Sequence, residues 1–308
     1  MQDKWFVIVN PASGNGAAKK KWKHINNELI KQKFDFDFKF SEYKNHSSKL
    51  VKKVLKQNFT KIICVGGDGT LHNILNGILS LNLTNIYEIK IGIIPIGTGN
   101  DWVKNYAIST NYKKAIAILK NENTVSQDIG KITILSTNNI VYFNNLAGIG
   151  LDGFVVNKVN NYKKLGTLAY IVGALVSLTS YKKPTLKIEL NKKVISGKTL
   201  MLLIGLCKYS GGGMQLTKNS NPTNGLFDIS YIQKINLVTI LSNIKGLFNG
   251  NITNHKLVNN YKTSSIKIQV LDTEKTYIQA DGELIGSGNF SVELLPKAIH
   301  FIVPLLKS

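Results

Sequence analysis

Three glycine-rich stretches, each directly after a short apolar run, carry the residue types best suited to holding a phosphate group. They occupy residues 10–16, 66–70 and 96–101. Glycine lets the backbone approach a bulky ligand and adopt positive φ angles, and the N–H groups at a helix start receive anions. One such turn would be weak support, because a strand followed by Gly-x-Gly is often only a turn. Three together predict a site for a phosphorylated ligand.

The segments around these turns have the patterns of strands and helices. Predicted strands occupy residues 5–9, 35–40, 61–65 and 90–95. A Lys-rich helix with Trp22, Ile25 and Leu29 on one face is predicted after residue 16, and further helices at about 47–59 and 71–78. Alternating strands and helices favour an α/β domain with a parallel sheet, and open sheets of this type bind ligands where their strands end. Asn100 or Asp101 could alternatively serve only as a helix N-cap after the third turn.

The pattern changes near residue 125, after which short strand-like runs predominate. These runs occupy residues 131–135, 140–147, 185–190, 200–207, 226–233, 265–271, 276–280, 290–294 and 299–303. Two helices, at about residues 152–180 and 236–248, interrupt them. We therefore predict an α/β domain over residues 1–125 and a mainly β domain over residues 126–308, whose last strand is able to pack back on the first domain.

The charge of the chain is strongly positive. Its 308 residues include 39 Lys plus Arg against 18 Asp plus Glu, a formal net charge of +21. Such an excess favours anionic surfaces, nucleotides or nucleic acid as partners. The alternative is a compositional bias, since Lys, Asn and Ile are frequent throughout. The chain shows no nucleic-acid-binding motif, so we expect no nucleic acid partner.

Cysteine usage and hydropathy indicate a cytoplasmic protein. Cys64 and Cys207 each lie in an apolar run, where a thiol behaves as a small hydrophobic group. The N-terminus lacks the charged and apolar regions of a signal peptide. The longest apolar region, residues 168–178, is shorter than the ~20 residues that span a bilayer. Any membrane association is therefore expected to be peripheral.

Taken jointly, the turns resemble those of the diacylglycerol kinase catalytic family, and within it the soluble bacterial lipid kinases related to sphingosine and ceramide kinases. The motifs are Asn10-Pro11-Ala12-Ser13-Gly14, Gly66-Gly67-Asp68-Gly69-Thr70, Pro95-Ile96-Gly97-Thr98-Gly99-Asn100-Asp101, Gly148-Ile149-Gly150-Leu151-Asp152, Gly211-Gly212-Gly213-Met214-Gln215-Leu216 and Asp281-Gly282-Glu283. The second motif alone would also fit NAD kinases and phosphofructokinase-like enzymes. The resemblance spans almost the full length and implies a β-sandwich second domain, with the active site in the cleft between the domains.

The resemblance implies an ATP site on the first domain. Its expected residues are Asn10, Pro11, Ala12, Ser13, Gly14, Ser41, Gly66, Gly67, Asp68, Gly69, Thr70, Leu71, His72, Thr98, Asn100 and Asp101. Phosphoryl transfer depends on positioning and charge neutralisation, which glycine-turn N–H groups supply. Asp68 is expected to hold the nucleotide directly or through Mg²⁺.

The resemblance also assigns the chemistry to a carboxylate pair after a strand. Glu283 is the expected proton acceptor for the acceptor hydroxyl, and Asp281 its neighbour near the metal. A surface Asp-Gly hairpin is the alternative. Asp68 completes the expected catalytic set.

The resemblance also implies a structural Mg²⁺, at a position where this chain differs from its relatives. Relatives bind it through an aspartate where this chain has Asn224, and an amide oxygen is a weaker ligand for so hard a cation. Asn221, Asn224 and Leu226 mark where it would sit. Asp128 matches a family aspartate in a network of carboxylate, water and Mg²⁺, and Gln127 stands where relatives are often acidic.

These observations lead to one expectation with several rivals. We expect an ATP- and Mg²⁺-dependent lipid kinase that phosphorylates diacylglycerol to phosphatidate at an anionic membrane, with a homodimer as one assembly. Another lipid alcohol, such as a sphingoid base, ceramide or monoacylglycerol, is the first alternative. NAD kinase activity and a non-catalytic nucleotide-binding protein at the membrane are the others.

Overall fold

The structure, a computed structural model, describes residues 2–159, 181–233, 244–273 and 275–305. It divides into two compact units. One comprises Met1–Gln127 together with Lys297–Ser308, and the other comprises Asp128–Pro296. In the described segments, no helix is long and apolar enough to cross a membrane.

The N-terminal unit is built on a parallel sheet. Its strands are β1 (Gln2–Val9), β2 (Phe36–Phe40), β3 (Phe59–Gly66) and β4 (Lys90–Pro95). They are arranged in the order β2-β1-β3-β4, all parallel. The last strand of the chain ends beside β4, where His300 and Phe301 pair with Lys90 and Ile91. The parallel sheet expected from the sequence is confirmed.

Helices cover both faces of this sheet, because the strands β1, β3 and β4 are apolar on both sides. The helices are α1 (Ala17–Lys31), α2 (His46–Leu55), α3 (Asp68–Leu79), α4 (Asp101–Asn105) and α5 (Tyr112–Lys120). Helices α1 and α5 share a core with one face, into which Trp22, Ile25 and Leu29 are buried. Helices α2 and α3 contact each other and β3. The predicted helix 47–59 stops at Leu55, since Asn58 turns the chain with a φ of 65°.

The strand ends of the parallel sheet are aligned by hydrogen bonds that continue its ladder. The Ser41 amide donates to Val9 O at 2.8 Å, Asn10 to Val65 O at 3.0 Å, and Ile96 to Gly66 O at 2.8 Å. The residues that follow these strands therefore meet at one edge of the sheet.

The C-terminal unit is a sandwich of mainly antiparallel strands. They are β5 (Thr124–Ile134), β6 (Asn139–Phe143), β7 (Leu146–Gly150), β8 (Thr185–Leu190), β9 (Lys193–Lys198), β10 (Met201–Gly205), β11 (Phe227–Ile232), β12 (Val258–Thr263), β13 (Ser265–Val270), β14 (Tyr277–Ala280), β15 (Glu283–Ser287) and β16 (Phe290–Ile302). One sheet has the order β12-β11-β10-β7-β14-β15, and β16, β13, β8 and β9 pair in the other. Alternate residues of both sheets form a common core.

Some sequence predictions for this unit were wrong in detail. Residues 140–147 form two strands, because the chain leaves the ladder at Asn144 and Asn145, whose N–H groups bond to the Asp281 carboxylate. Two predicted strands at residues 290–303 are the single strand β16, and β9, β12 and β15 were missed. The predicted helices are described only over α6 (Leu151–Val159) and α7 (Ile244–Asn249); the remainder lies outside the described residues.

Candidate active site

Thr70 joins the first glycine turn to the second. Its hydroxyl, on the first turn of α3, accepts a hydrogen bond from Asn10 Nδ2 at 2.9 Å and lies 3.3 Å from Ser13 Oγ. Asn10 Oδ1 in turn accepts from the Ala12 amide at 3.1 Å, which holds the turn in shape. Thr70 is buried, so these bonds are shielded from water. The two stretches expected to bind the nucleotide are therefore one connected structure.

Asp68 joins the second turn to the third. Its carboxylate oxygens accept from the Asp101 amide at 3.0 Å and the Trp102 amide at 3.1 Å. These are the first N–H groups of α4, which have no acceptor within the helix. Asn100 is the N-cap residue of α4, but its side chain donates to Gly97 O at 2.9 Å and the capping acceptor is the Asp68 carboxylate.

The second and third turns also touch through bare backbone. A Cβ on Gly97 would lie 2.8 Å from Gly67 Cα and 2.5 Å from Asn100 Oδ1, so this contact requires glycine. Within the described chain, Asn100 Oδ1 is buried without a hydrogen-bond partner. A buried carbonyl oxygen of this kind is where a ligand hydroxyl, amine or metal-bound water donates, because leaving it unpaired is costly.

The remaining residues expected at the nucleotide fall into exposed and buried groups. Ala12 and Thr98 are exposed at the tips of their turns, and Pro11, Gly14, Gly67 and Gly69 are partly exposed beside them; Gly66 is buried. Ser41 is buried where β2 ends.

Leu71 and His72 lie in the interior of the unit. Leu71 is fully buried, with its amide donating to Gly67 O, and His72 is buried with its ring beside Asn76. Their side chains therefore support α3 from within.

Two carboxylates converge beside Gly99. A Cβ placed on Gly99 would lie 3.3 Å from Asp68 Oδ2 and 3.5 Å from Asp101 Oδ2, so both oxygens face the same small space. Carboxylate oxygens are the ligands that Mg²⁺ uses at phosphate sites. A divalent cation of a nucleotide held here would share these carboxylates with their existing partners, since Asp68 Oδ2 accepts the Asp101 amide and Asp101 Oδ1 pairs with Lys104 at 2.9 Å.

Cys64 is an interior residue of β3 close to Asp68. Burial, with a smaller contribution from the charge of Asp68, raises the pKa of its thiol. Cys64 therefore stays protonated and packs as a hydrophobic side chain, as its apolar context indicated.

In the C-terminal unit, Asp281 anchors the turn that carries Glu283. The turn joins β14 to β15, with φ angles of 51° at Asp281 and 79° at Gly282. The Asp281 carboxylate accepts from the amides of Asn144 at 3.2 Å, Asn145 at 2.9 Å and Leu146 at 3.2 Å. The hairpin alternative is correct as geometry, but the turn is fixed to a distant loop rather than loose at the surface.

The residues expected at the structural metal lie together with Asp128. Asp128 is fully buried; its amide donates to Pro222 O at 2.7 Å and its carboxylate accepts from the Gly225 amide at 2.7 Å. Its side chain therefore holds the loop of residues 221–226.

The oxygens of that loop are already engaged. Asn221 Oδ1 accepts from the Thr223 amide and hydroxyl at 3.0 and 2.9 Å, and Asn224 Oδ1 from the Leu226 amide at 3.1 Å. Over the described parts of the chain, no three His, Cys, Asp or Glu side chains are grouped to hold a metal. The Asn221 and Asn224 oxygens are neutral and already accept hydrogen bonds, so this loop offers Mg²⁺ a weaker donor set than an aspartate at position 224 would.

Gln127 has a role that sequence reasoning missed. It is fully buried, and its Oε1 accepts from Trp102 Nε1 at 2.9 Å and from the Tyr106 hydroxyl at 2.8 Å. Trp102 lies in the first turn of α4, so Gln127 supports the helix that follows the third turn. A neutral amide meets both donors without burying a charge.

An apolar pocket opens in the C-terminal unit beside α6. Its volume is about 100 Å³, and leucine, isoleucine, valine and methionine dominate its lining. Asp152 is the single carboxylate among the lining residues that the structure describes. A pocket of this composition suits a short segment of hydrocarbon next to a polar group.

Comparison with known proteins agrees with both units. Residues 4–132 match the diacylglycerol kinase catalytic domain, and residues 145–303 match the YegS C-terminal NAD kinase beta sandwich-like domain. The chain is 26% identical over 304 residues to the diacylglycerol kinase of Bacillus subtilis strain 168, covering 98% of this chain and 97% of that protein. It is 28% identical over 294 residues to the diacylglycerol kinase of Staphylococcus saprophyticus, covering 94% and 92%.

The fold has a counterpart among solved structures. The crystal structure of a diacylglycerol kinase from Bacillus anthracis strain Sterne covers 98% of this chain and 97% of that chain, with a TM-score of 0.75 and 22% identity. With glycine turns and an anchored carboxylate turn in the same chain, and both domains matched in order, this protein belongs to the diacylglycerol kinase catalytic family and is a lipid kinase.

Proposed function

We propose that the protein transfers the γ-phosphoryl group of ATP to the hydroxyl of diacylglycerol, giving phosphatidate at a membrane surface. The observation that carries this proposal is the convergence of the three glycine turns at one sheet edge, joined by Thr70 and Asp68. Such an edge presents backbone N–H groups and a helix start to an anion, which is the main demand of phosphoryl transfer.

The N-terminal unit supplies binding and orientation of the nucleotide. Residues of the first two turns, with the N-terminus of α3, surround the phosphates, and Asn100 Oδ1 accepts from a donor of the ligand. Asp68 and Asp101 would hold Mg²⁺, which when bound neutralises the phosphate oxygens. Because Asp68 also caps α4, the second and third turns keep a fixed relation when the nucleotide leaves.

The C-terminal unit supplies the proton acceptor. We assign Glu283 to this role: its carboxylate takes the proton of the lipid hydroxyl as that oxygen bonds to the γ-phosphorus and the bond from phosphorus to the leaving ADP oxygen breaks. Asp281 keeps the turn rigid through its three backbone contacts. General base catalysis by one positioned carboxylate contributes about 10²–10⁴-fold.

Two observations support a lipid acceptor: the apolar pocket of the C-terminal unit and the positive charge of the chain. The apolar lining beside Asp152 suits hydrocarbon close to a polar head. The formal charge of +21 favours an anionic leaflet, to which each nearby lysine adds about 1 kcal/mol of attraction. Vesicle binding should therefore weaken steeply as salt is added.

Labelled ATP and mixed micelles of candidate lipids test the acceptor directly. Diacylglycerol, monoacylglycerol, ceramide and a sphingoid base are offered separately, with NAD as a further acceptor because the second domain resembles that of NAD kinases. Label in phosphatidate is the expected result. Transfer to NAD alone would reject the lipid acceptor, and binding of ATP without transfer would favour a non-catalytic role.

Glu283→Gln tests the assigned base. Turnover should fall by about 10²–10⁴-fold, since the amide cannot accept the proton, while ATP affinity stays within twofold. Glu293→Gln, an exposed residue of the same unit, is the matched control and should keep full rate. A Glu283→Gln variant with the unaltered rate would remove Glu283 from this role.

A further inference from the structure

Gln279 is a buried polar residue in a strand that is otherwise apolar. It lies in β14, paired with Gly148 of β7 and Leu284 of β15, and is 2% exposed. Its neighbours Ile278 and Ala280 point into the sandwich core, so Gln279 points to the opposite face of the sheet. A buried amide is costly unless both of its ends are hydrogen-bonded.

Both ends of the Gln279 amide are in use. Nε2 donates to the Asp152 carboxylate, and Oε1 accepts from the Gly282 amide at 2.9 Å. The chemistry of the partners fixes this orientation, because a carboxylate only accepts and a backbone N–H only donates.

The two partners are features that the proposed function uses. Gly282 lies between Asp281 and Glu283 in the turn that carries the base, and Asp152 is the carboxylate at the apolar pocket. Asp152 is itself 4% exposed and lies over Gly148, where any Cβ would collide with it. A carboxylate held so closely needs a donor that keeps it in one position.

We propose that Gln279 is a positioning residue that fixes the pocket carboxylate Asp152 and the Glu283 turn relative to each other. This inference rests on the proposed function. The Gln279 amide contacts Asp152 and Gly282, and through them it sets where the acceptor lies in relation to its base. Misplacement of about 1 Å at such a centre costs on the order of 100-fold in rate.

Gln279→Met tests this role, because methionine has a similar length and no hydrogen-bonding amide. The turnover number per ATP-binding site should fall by about 10–100-fold. ATP-binding stoichiometry and affinity should stay within twofold, which separates a positioning effect from loss of folded protein. Gln269→Met, at an exposed position of β13 in the same unit, is the matched control and should leave both constants unchanged.

A double-mutant cycle with Asp152→Ala, which removes the acceptor of the Gln279 Nε2 hydrogen bond, provides a readout that a purely structural role would not move. If Gln279 acts partly through the Asp152 carboxylate, Gln279→Met should cost at least threefold less in the Asp152→Ala background. Gln279→Asn is the second variant should Gln279→Met not fold: its side chain is one methylene shorter and reaches only one of the two partners, so turnover should again fall.

The outcomes separate the two proposals. A wild-type protein that phosphorylates no lipid overturns the proposed function and this inference with it. An active wild type whose Gln279→Met and Gln279→Asn variants keep full turnover overturns the inference alone, as does an equal loss in both backgrounds of the cycle.

Discussion

Asp68 and Asp281, one in each unit, use their carboxylates in the same way but over different distances along the chain. Asp68 accepts the amides of Asp101 and Trp102, about one strand-turn-helix unit later. Asp281 accepts the amides at Asn144 to Leu146, with 136 positions separating it from Asn145. Each aspartate fixes a functional turn to another loop.

The difference shows how the functional turns of each unit are held in place. The nucleotide turns come from successive repeats of one strand-turn-helix pattern, so a parallel sheet aligns them without further help. The turn that carries Glu283 is aligned by one carboxylate reaching a remote loop. Substitutions that disturb the glycine turns should therefore weaken ATP binding. Substitutions that disturb the turn carrying Glu283 should slow turnover at unchanged ATP affinity.

The paired substitutions Asp281→Asn and Asp68→Asn test this difference most strongly. In each, an amide NH₂ faces a backbone N–H that loses its acceptor, at a cost of about 1–3 kcal/mol. Asp281→Asn should lower turnover about 100-fold with ATP affinity intact, since it misplaces Glu283. Asp68→Asn should weaken ATP binding about 10-fold or more, because it also removes a carboxylate charge that would hold the Mg²⁺ of the nucleotide.

Steady-state kinetics with calorimetric ATP titration distinguish these effects. The exposed Asp35→Asn serves as the control for both substitutions. If both variants change turnover alone, or both change ATP affinity alone, then the turns of the two units do not act separately.

Gly97→Ala should separate the second and third turns. The new methyl group would meet Gly67 Cα and Asn100 Oδ1, so backbone must move, and we expect ATP affinity to fall about 10–100-fold. Gly92→Ala is the matched control: its methyl group collides with the Leu119 side chain elsewhere in the same unit. It should lower the melting temperature without changing the ATP dissociation constant. An equal loss of ATP affinity in both variants would contradict the assigned contact.

Thr70→Val should loosen the first turn from the second. Valine keeps the shape of threonine but cannot bond to Asn10 or Ser13, which leaves the half-buried Asn10 amide without this acceptor. We expect a loss of about 1 kcal/mol in stability and a rise of roughly 3–10-fold in the KM for ATP. Thr110→Val, at an exposed position, is the control. An unchanged KM would show that Thr70 does not order the first turn.

Glu122→Gln should alter the stability of the N-terminal unit without touching the glycine turns or the turn that carries Glu283. Burial alone would raise the pKa of Glu122, but Lys61 at 2.7 Å and Lys90 at 2.9 Å outweigh it and hold the pKa below its usual value. A lowered folded-state pKa stabilises the fold above the unfolded pKa of about 4.3, and this contribution is lost as pH falls through the folded-state pKa.

Urea unfolding should show this dependence. The variant should lose about 0.5–1 kcal/mol at pH 7 and approach the unaltered protein below about pH 4. Glu42→Gln, at an exposed position, is the control, and ATP affinity should not change in either variant. A loss that persists undiminished at low pH would show that the ion pairs are not its cause.

Sequence patterns predicted the first unit better than the second. The parallel sheet and the edge where its turns meet follow from local periodicity, and β4 has the predicted bounds. In the second unit, the break at Asn144 and the continuous strand β16 were missed, because both depend on pairing with residues far along the chain. The fold class as a whole agrees with the matched families.

By itself, the sequence determined that glycine turns follow apolar strands, that the chain is basic, and that Asp281-Gly282-Glu283 follows a strand. Residue types and spacing suffice for these, since they act through local backbone geometry. Only the tertiary structure decided that Asp68 caps α4, that Asp128 holds the 221–226 loop, and that Gln279 links Asp152 to Gly282. The physical reason is that a buried polar group must find its partner in space, and the folded chain alone fixes which donor or acceptor lies there.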